Sequence, residues 1–171
     1  MLASTALLVV VVMQIALGGW VSTNYAVLAC TDFPACQGSL WPAMDFQHGF
    51  TLWRELGQGR GGENISFQAL TAIHYVHRLA AYALIAALLA LAWLLRGQGT
   101  RALSRWLLAL VAWQFASGLS NVVLGWPLVA AVAHTAGAAG LVILLTGAIA
   151  STRSAVPARG SSFLNASRLS A

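Results

Sequence analysis

FQALTAIHYVHRLAAYALIAALLALAWLL, residues 67–95, contains no acidic residue and stays apolar for longer than a helix of a soluble domain needs. A hydrocarbon core about 30 Å thick takes roughly 20 apolar residues of helix. Lipid offers backbone N–H and C=O groups no partner, so a segment of this kind must satisfy them internally, as α-helix. Near its start stand His74, His77 and Arg78. Ionisable groups inside a span are costly and point to function by default.

Three further stretches have the same character: residues 2–20, 104–124 and 127–150. Pro127 opens the last of them, where a missing N–H costs no hydrogen bond. The whole chain of 171 residues is 59% hydrophobic and 8% charged, against about 25% charged for a soluble domain. Such a chain cannot cover a soluble surface, but it can face lipid. The expected architecture is an all-α, polytopic membrane four-helix bundle, residues 1–150, with no room for a separate soluble domain. The first stretch has no basic leader and outruns a signal-peptide core, so it is expected to be a retained span. Residues 151–171, rich in Ser, Arg and small residues, are expected to form a disordered tail.

The net charge of +5 comes from nine arginines without a lysine. It is not a nucleic-acid signature, because all but Arg78 fall in loops, beside span ends or in the tail. They read as topology signals. Arg96, Arg101 and Arg105 lie between the second and third spans, and Arg153, Arg159 and Arg168 in the tail. The positive-inside rule puts both in the cytoplasm. The N-terminus is then cytoplasmic too, and the long segment 21–66 is an extracytoplasmic loop, too long to be a simple connection. Trp20, Trp106 and Trp126 sit at span ends, as interfacial anchors do. Gly118, Gly137, Gly140 and Gly147 suit close helix approach. Gln114, Ser117 and Asn121 share one face of the third span and suit hydrogen bonds between helices.

Of four histidines, His48 is in the loop, and His74, His77 and His134 are inside spans. At 1.5 Å per residue, His77 and His134 sit roughly 10–15 Å below the outer surface. Two imidazoles at matched depth on different helices can bind one iron from opposite sides, as axial ligands of a heme in a bundle interior. The plainer alternative is a pair of hydrogen-bonding core residues. His74 and His77 share a helix face, so one of them is a ligand and the other a neighbour or pocket wall. Arg78 needs an anionic partner, and no span holds an acid. A heme propionate would meet the need; the alternative is snorkelling to the interface. Tyr75 and Tyr82 read as packing. Cys30 and Cys36, with five residues between them, are too few for a zinc site. They read either as a structural disulfide on the oxidising side or as a redox-active pair.

Several of these stretches resemble the heme A synthase family. They are Gly18-Gly19-Trp20-Val21-Ser22-Thr23-Asn24-Tyr25, Ala29-Cys30 through Gln37-Gly38, and Trp41-Pro42-Ala43-Met44-Asp45-Phe46. Two more are Ala72-Ile73-His74-Tyr75-Val76-His77-Arg78-Leu79 and Ala133-His134-Thr135-Ala136-Gly137. The resemblance implies oxidation of a heme O methyl group to a formyl, giving heme A for cytochrome oxidase in a bacterial inner membrane. Family members are usually two four-helix halves, each with a histidine pair and an outer loop. This chain resembles the second half, because the Glu typical of the first half, three residues before the ligand histidine, is replaced by His74. The resemblance therefore implies a heme b held by His77 and His134, with His74 and Arg78 in the pocket and Cys30–Cys36 at the family's loop disulfide position. It also implies a homodimer or a partner four-helix half, with heme O synthase as a further candidate partner. A membrane electron-transfer cytochrome and a non-catalytic assembly subunit are the competing readings.

Overall fold

In the computed structural model, which describes residues 2–59 and 61–154, four long helices carry the chain. They are α1 (Leu2–Thr23), α3 (Phe67–Leu94), α4 (Arg101–Val123) and α5 (Leu128–Ser154), with a single-turn helix α2 (Phe46–Gly49) in the first loop. All four long helices are long and apolar enough to cross a membrane. The fold is therefore all-α with four candidate spans and a long loop between the first two.

The helices begin and end where local chemistry closes their free backbone groups. Ser66 caps α3 by accepting a hydrogen bond from Ala69 N–H at 3.2 Å. The end of α1 runs past the expected Trp20 to Thr23. There the hydroxyls of Ser22 and Thr23 donate back to the carbonyls of Gly18 and Gly19, at 3.2 and 2.9 Å, so polar residues finish the helix that apolar ones begin. Likewise α4 starts at Arg101 rather than 104, and α5 continues to Ser154 rather than stopping at 150. Hydropathy locates the lipid-facing part of a helix and not its backbone ends. The expected tail is therefore helical over 151–154, and 155–171 lie outside the described residues. Between α4 and α5 the chain reverses through Gly125 and Trp126, both at positive φ (69° and 62°), with Trp126 N–H bonded to Asn121 O at 2.9 Å.

Neighbouring helices pack in the cyclic order α1, α3, α4, α5 and back to α1. Two diagonals remain, α1 with α4 and α3 with α5, and among the described residues neither diagonal pair brings its Cα atoms within 8 Å. The end away from the long loop is filled. Val11, Leu84, Leu88, Leu91, Leu107, Val111, Leu141 and Leu145 form a buried cluster there. Lipid tails are as apolar as these side chains, so the cluster holds by close packing rather than by escape from water.

The loop is folded rather than slack. Its turn at Ala26–Leu28, the helix α2 and two antiparallel bridges, Cys36 to Ser39 and Gln58 to Asn64, give it structure. One face of α3 holds it. Thr71 accepts from Gln37 Nε2 at 2.7 Å, Tyr75 O–H donates to Leu40 O, and Arg78 reaches three loop carbonyls. Positions 71, 75 and 78 follow the spacing of a single helix face. Trp20, expected as a bilayer anchor, turns into this loop: its Nε1 donates to Gly49 O at 3.0 Å, and Arg54 lies over its ring at 5.7 Å.

Candidate functional site

The bundle is full at one end and hollow at the other. A cavity of about 780 Å³ lies at the loop end, within the roughly 300–1,000 Å³ typical of small-molecule sites. His77 enters it from α3 and His134 from α5, the two helices of one diagonal. His74 and Arg78 also line the cavity, and none of its lining residues is an acid. The polar wall thus suits an anionic group, and the rest of the wall is apolar. Among the described residues, no group of three or more His, Cys, Asp or Glu side chains is placed to hold a bare metal ion.

Each cavity histidine is held from the neighbouring helix. Gln14 of α1 donates its Nε2 to both Nδ1 and the carbonyl of His77, each at 3.0 Å. Gln114 of α4 donates to the carbonyl of His134 at 2.8 Å, and Ser117 Oγ lies 3.0 Å from His134 Nδ1. The rings rest on glycine. A Cβ at Gly18 would stand 3.1 Å from His77 Cε1, and one at Gly118 the same distance from His134 Cε1. Gly137 is needed for a related reason, because a Cβ there would meet Trp113 Cδ1 and Gln114 Nε2 at 2.5 Å. Gly140 faces Leu110, but Gly147 has nothing within 4 Å, so its expected role in close approach is not found.

The remaining candidates fall into a second layer. His74 is buried, and its Nδ1 pairs with Ala26 O at 3.0 Å, tying α3 to the turn after α1. Arg78 is 6% exposed, and its guanidinium donates to Ala35 O (2.9 Å), Asp32 O (2.9 Å) and Cys30 O (3.2 Å). The sequence offered an anion or the interface as its partner; the structure adds the loop backbone. Its buried Nε has no hydrogen-bond partner among the described residues. Cys30 and Cys36 form a disulfide, both fully buried, and this bond closes the turn that presents those carbonyls. The Asp32 side chain braces the same turn, accepting from Gln37 N–H at 2.7 Å and Gly38 N–H at 2.9 Å. The Gly38 bond above all holds its carboxyl below the usual carboxylate range, against a smaller opposing effect of burial.

Several site residues were not singled out from sequence. Gln14 had no role assigned from sequence, and Gly18 appeared only within a motif. Phe33 was legible as a motif residue alone. It reaches from the disulfide turn to the cavity wall and packs edge-on against Phe115 and Tyr82, with centroids 6.1 and 6.4 Å apart. The shared pattern Gln-x-x-x-Gly at 14–18 and 114–118 was the signal available for the histidine cradles.

Comparison with known proteins agrees with the resemblance read from the motifs. The chain is 40% identical over 141 residues to a heme A synthase of Shewanella oneidensis, a match covering 81% of this chain and 42% of that protein. It is 35% identical over 138 residues to a heme A synthase of Methylobacterium nodulans, covering 78% of this chain and 36% of that one. The chain thus spans less than half the length of these relatives. No solved structure matches it. The family described as cytochrome oxidase assembly protein, COX15-CtaA, matches residues 1–146. With that match running through all four long helices and both cavity histidines, the chain belongs to the COX15-CtaA family.

Proposed function

We propose that this chain is a heme-binding four-helix half of a heme A synthase-type oxidoreductase. His77 and His134 would hold a heme b between them, and the larger assembly would oxidise the methyl group of heme O to a formyl. The observation that carries the reading is the pair of imidazoles on diagonal helices, each seated on a glycine, facing one apolar cavity. Two nitrogen donors without a third protein ligand suit an iron whose other positions are filled by a macrocycle. Arg78, whose Nε is unpaired among the described residues, and the acid-free wall suit the propionate end.

When bound, such a heme supplies one-electron transfer. The protein's part is to fix the two imidazoles, exclude water with apolar walls and close the loop end with the disulfide turn and Phe33. The chain is multi-pass in a bacterial inner membrane, with both termini cytoplasmic and the loop and cavity toward the outer side. Completing the enzyme takes a second four-helix half, from a second copy or a partner chain, and heme O synthase is the natural supplier of substrate. His74 stands where an acid would be expected in a substrate-binding half. That residue favours a second reading for the isolated chain, a b-type electron-transfer cytochrome without oxidation chemistry of its own.

Reduced-minus-oxidised spectra of the purified protein test the ligand assignment. A low-spin bis-histidine signal is expected in the wild type and its loss in His77→Ala and His134→Ala. A full signal in either variant refutes the ligand set. Heme A formation on co-expression with heme O synthase separates the enzyme from the cytochrome.

A further inference from the structure

The two histidine cradles are copies of one arrangement, differing at one decisive position. The α1–α3 pair supplies Gln14, Gly18 and His77, and the α4–α5 pair supplies Gln114, Gly118 and His134. In both, the glutamine amide donates to the carbonyl of the histidine, at 3.0 and 2.8 Å. In both, the glycine four residues on lies under Cε1 of the ring. The residue three after the glutamine differs: it is Ser117 in one copy and Leu17 in the other.

That difference changes which partner each imidazole Nδ1 is offered. Ser117 O–H donates to Trp113 O at 2.7 Å, which turns an oxygen lone pair toward His134 Nδ1 at 3.0 Å. With the hydroxyl turned to Trp113 O, Ser117 Oγ can accept from an N–H on His134 Nδ1, which leaves Nε2 with a free lone pair. This is the arrangement of a metal-ligating histidine, whose other ring N–H is given to an acceptor. Leu17 offers His77 no such acceptor. Gln14 Nε2 faces His77 Nδ1 instead, and the same atom bonds the His77 carbonyl. A carbonyl only accepts, so the atom between must be the amide nitrogen, and it has no lone pair to give. His77 Nδ1 therefore accepts, and its proton sits on Nε2. To ligate through Nε2, His77 must move that proton to Nδ1 and the Gln14 amide must invert. The inversion gives up the bond to the His77 carbonyl. Gln14 Oε1, buried and without a partner among the described residues, is the acceptor it brings round.

We propose, resting on the heme reading above, that the two ligands are unequal: His134 is the anchored one and His77 the one exchangeable for a small neutral ligand. The determinant is Leu17 where the repeat would place serine. Exchange here breaks one iron–nitrogen bond and makes one bond from the incoming lone pair, with no change of oxidation state.

Carbon monoxide added to the dithionite-reduced, heme-loaded protein in nanodiscs is the probe. Wild type is expected to bind it, Leu17→Ser to bind it roughly 10–100-fold more weakly, and Leu17→Ala to behave as wild type. The alanine variant separates the hydroxyl from the lost leucine. His77→Gly is expected to retain heme through His134, and His134→Gly to hold it roughly 10–100-fold less tightly than His77→Gly. Equal retention by the two glycine variants overturns the proposal, as does unchanged carbon monoxide affinity in Leu17→Ser or an equal shift in Leu17→Ala. A wild type without low-spin heme instead overturns the ligand assignment itself.

Discussion

Replacing Arg78 by methionine keeps the length and apolar stem of the side chain and removes the guanidinium. Three buried or half-buried carbonyls, those of Cys30, Asp32 and Ala35, then lose their donor. Hydrogen bonds from a charged donor contribute about 1.5–3 kcal/mol each, and contributions in one network do not add fully. Some of the orphaned carbonyls would regain water at the bundle end. A loss of about 3–5 kcal/mol is expected, the range for breaking a buried charged contact. The loss should be local. Hydrogen–deuterium exchange of the heme-free protein in nanodiscs should rise over residues 29–39, while α4 and α5 keep their protection, and thermal unfolding should move down. The heme-free state is the informative one, because any propionate contact is then absent. If Arg78→Met leaves exchange and unfolding of the heme-free protein unchanged and affects only heme retention, the loop carbonyls are not its working partners, and the reasoning fails.

Other outcomes follow from single contacts. Gly118→Ala puts a Cβ 3.1 Å from Cε1 of a ring already pinned by Ser117, so heme affinity should fall about 10-fold with helix content unchanged by circular dichroism. Gly137→Ala is tighter, with 2.5 Å contacts to Trp113 and Gln114 on the facing helix; a cost of about 1–3 kcal/mol is expected from overpacking, read as a lower thermal midpoint. Asp32 has a folded-state pKa below its unfolded one, chiefly through the Gly38 N–H. Its contribution is therefore fully present above about pH 4 and lost as pH falls through the lower folded value. Acid should loosen the 30–38 turn in wild type, as followed by hydrogen exchange. In Asp32→Asn the turn should already be loosened at neutral pH and show less further change on acidification.

The four helices long and apolar enough to cross a membrane, and the place of three histidines within them, were legible from sequence alone. Length and hydropathy suffice for the first, because lipid forces an apolar segment into helix. Residue numbers alone suffice for the second, since His74, His77 and His134 fall inside the apolar stretches. Even the pairing of Gln114 and Ser117 with another helix could be anticipated from their common face. The direction each helix faces could not. Spans that are apolar nearly all round mark no inward stripe, so nothing along α3 or α5 says that they stand on a diagonal with His77 and His134 turned toward each other. Arg78 is a sharper case. Its partners lie 43 to 48 residues away in a loop whose path depends on a disulfide and on Asp32. Gln14 meets His77 across 63 residues. Such contacts exist only once the bundle has closed, because close packing of particular small residues, and not the apolar character shared by every span, selects which faces meet.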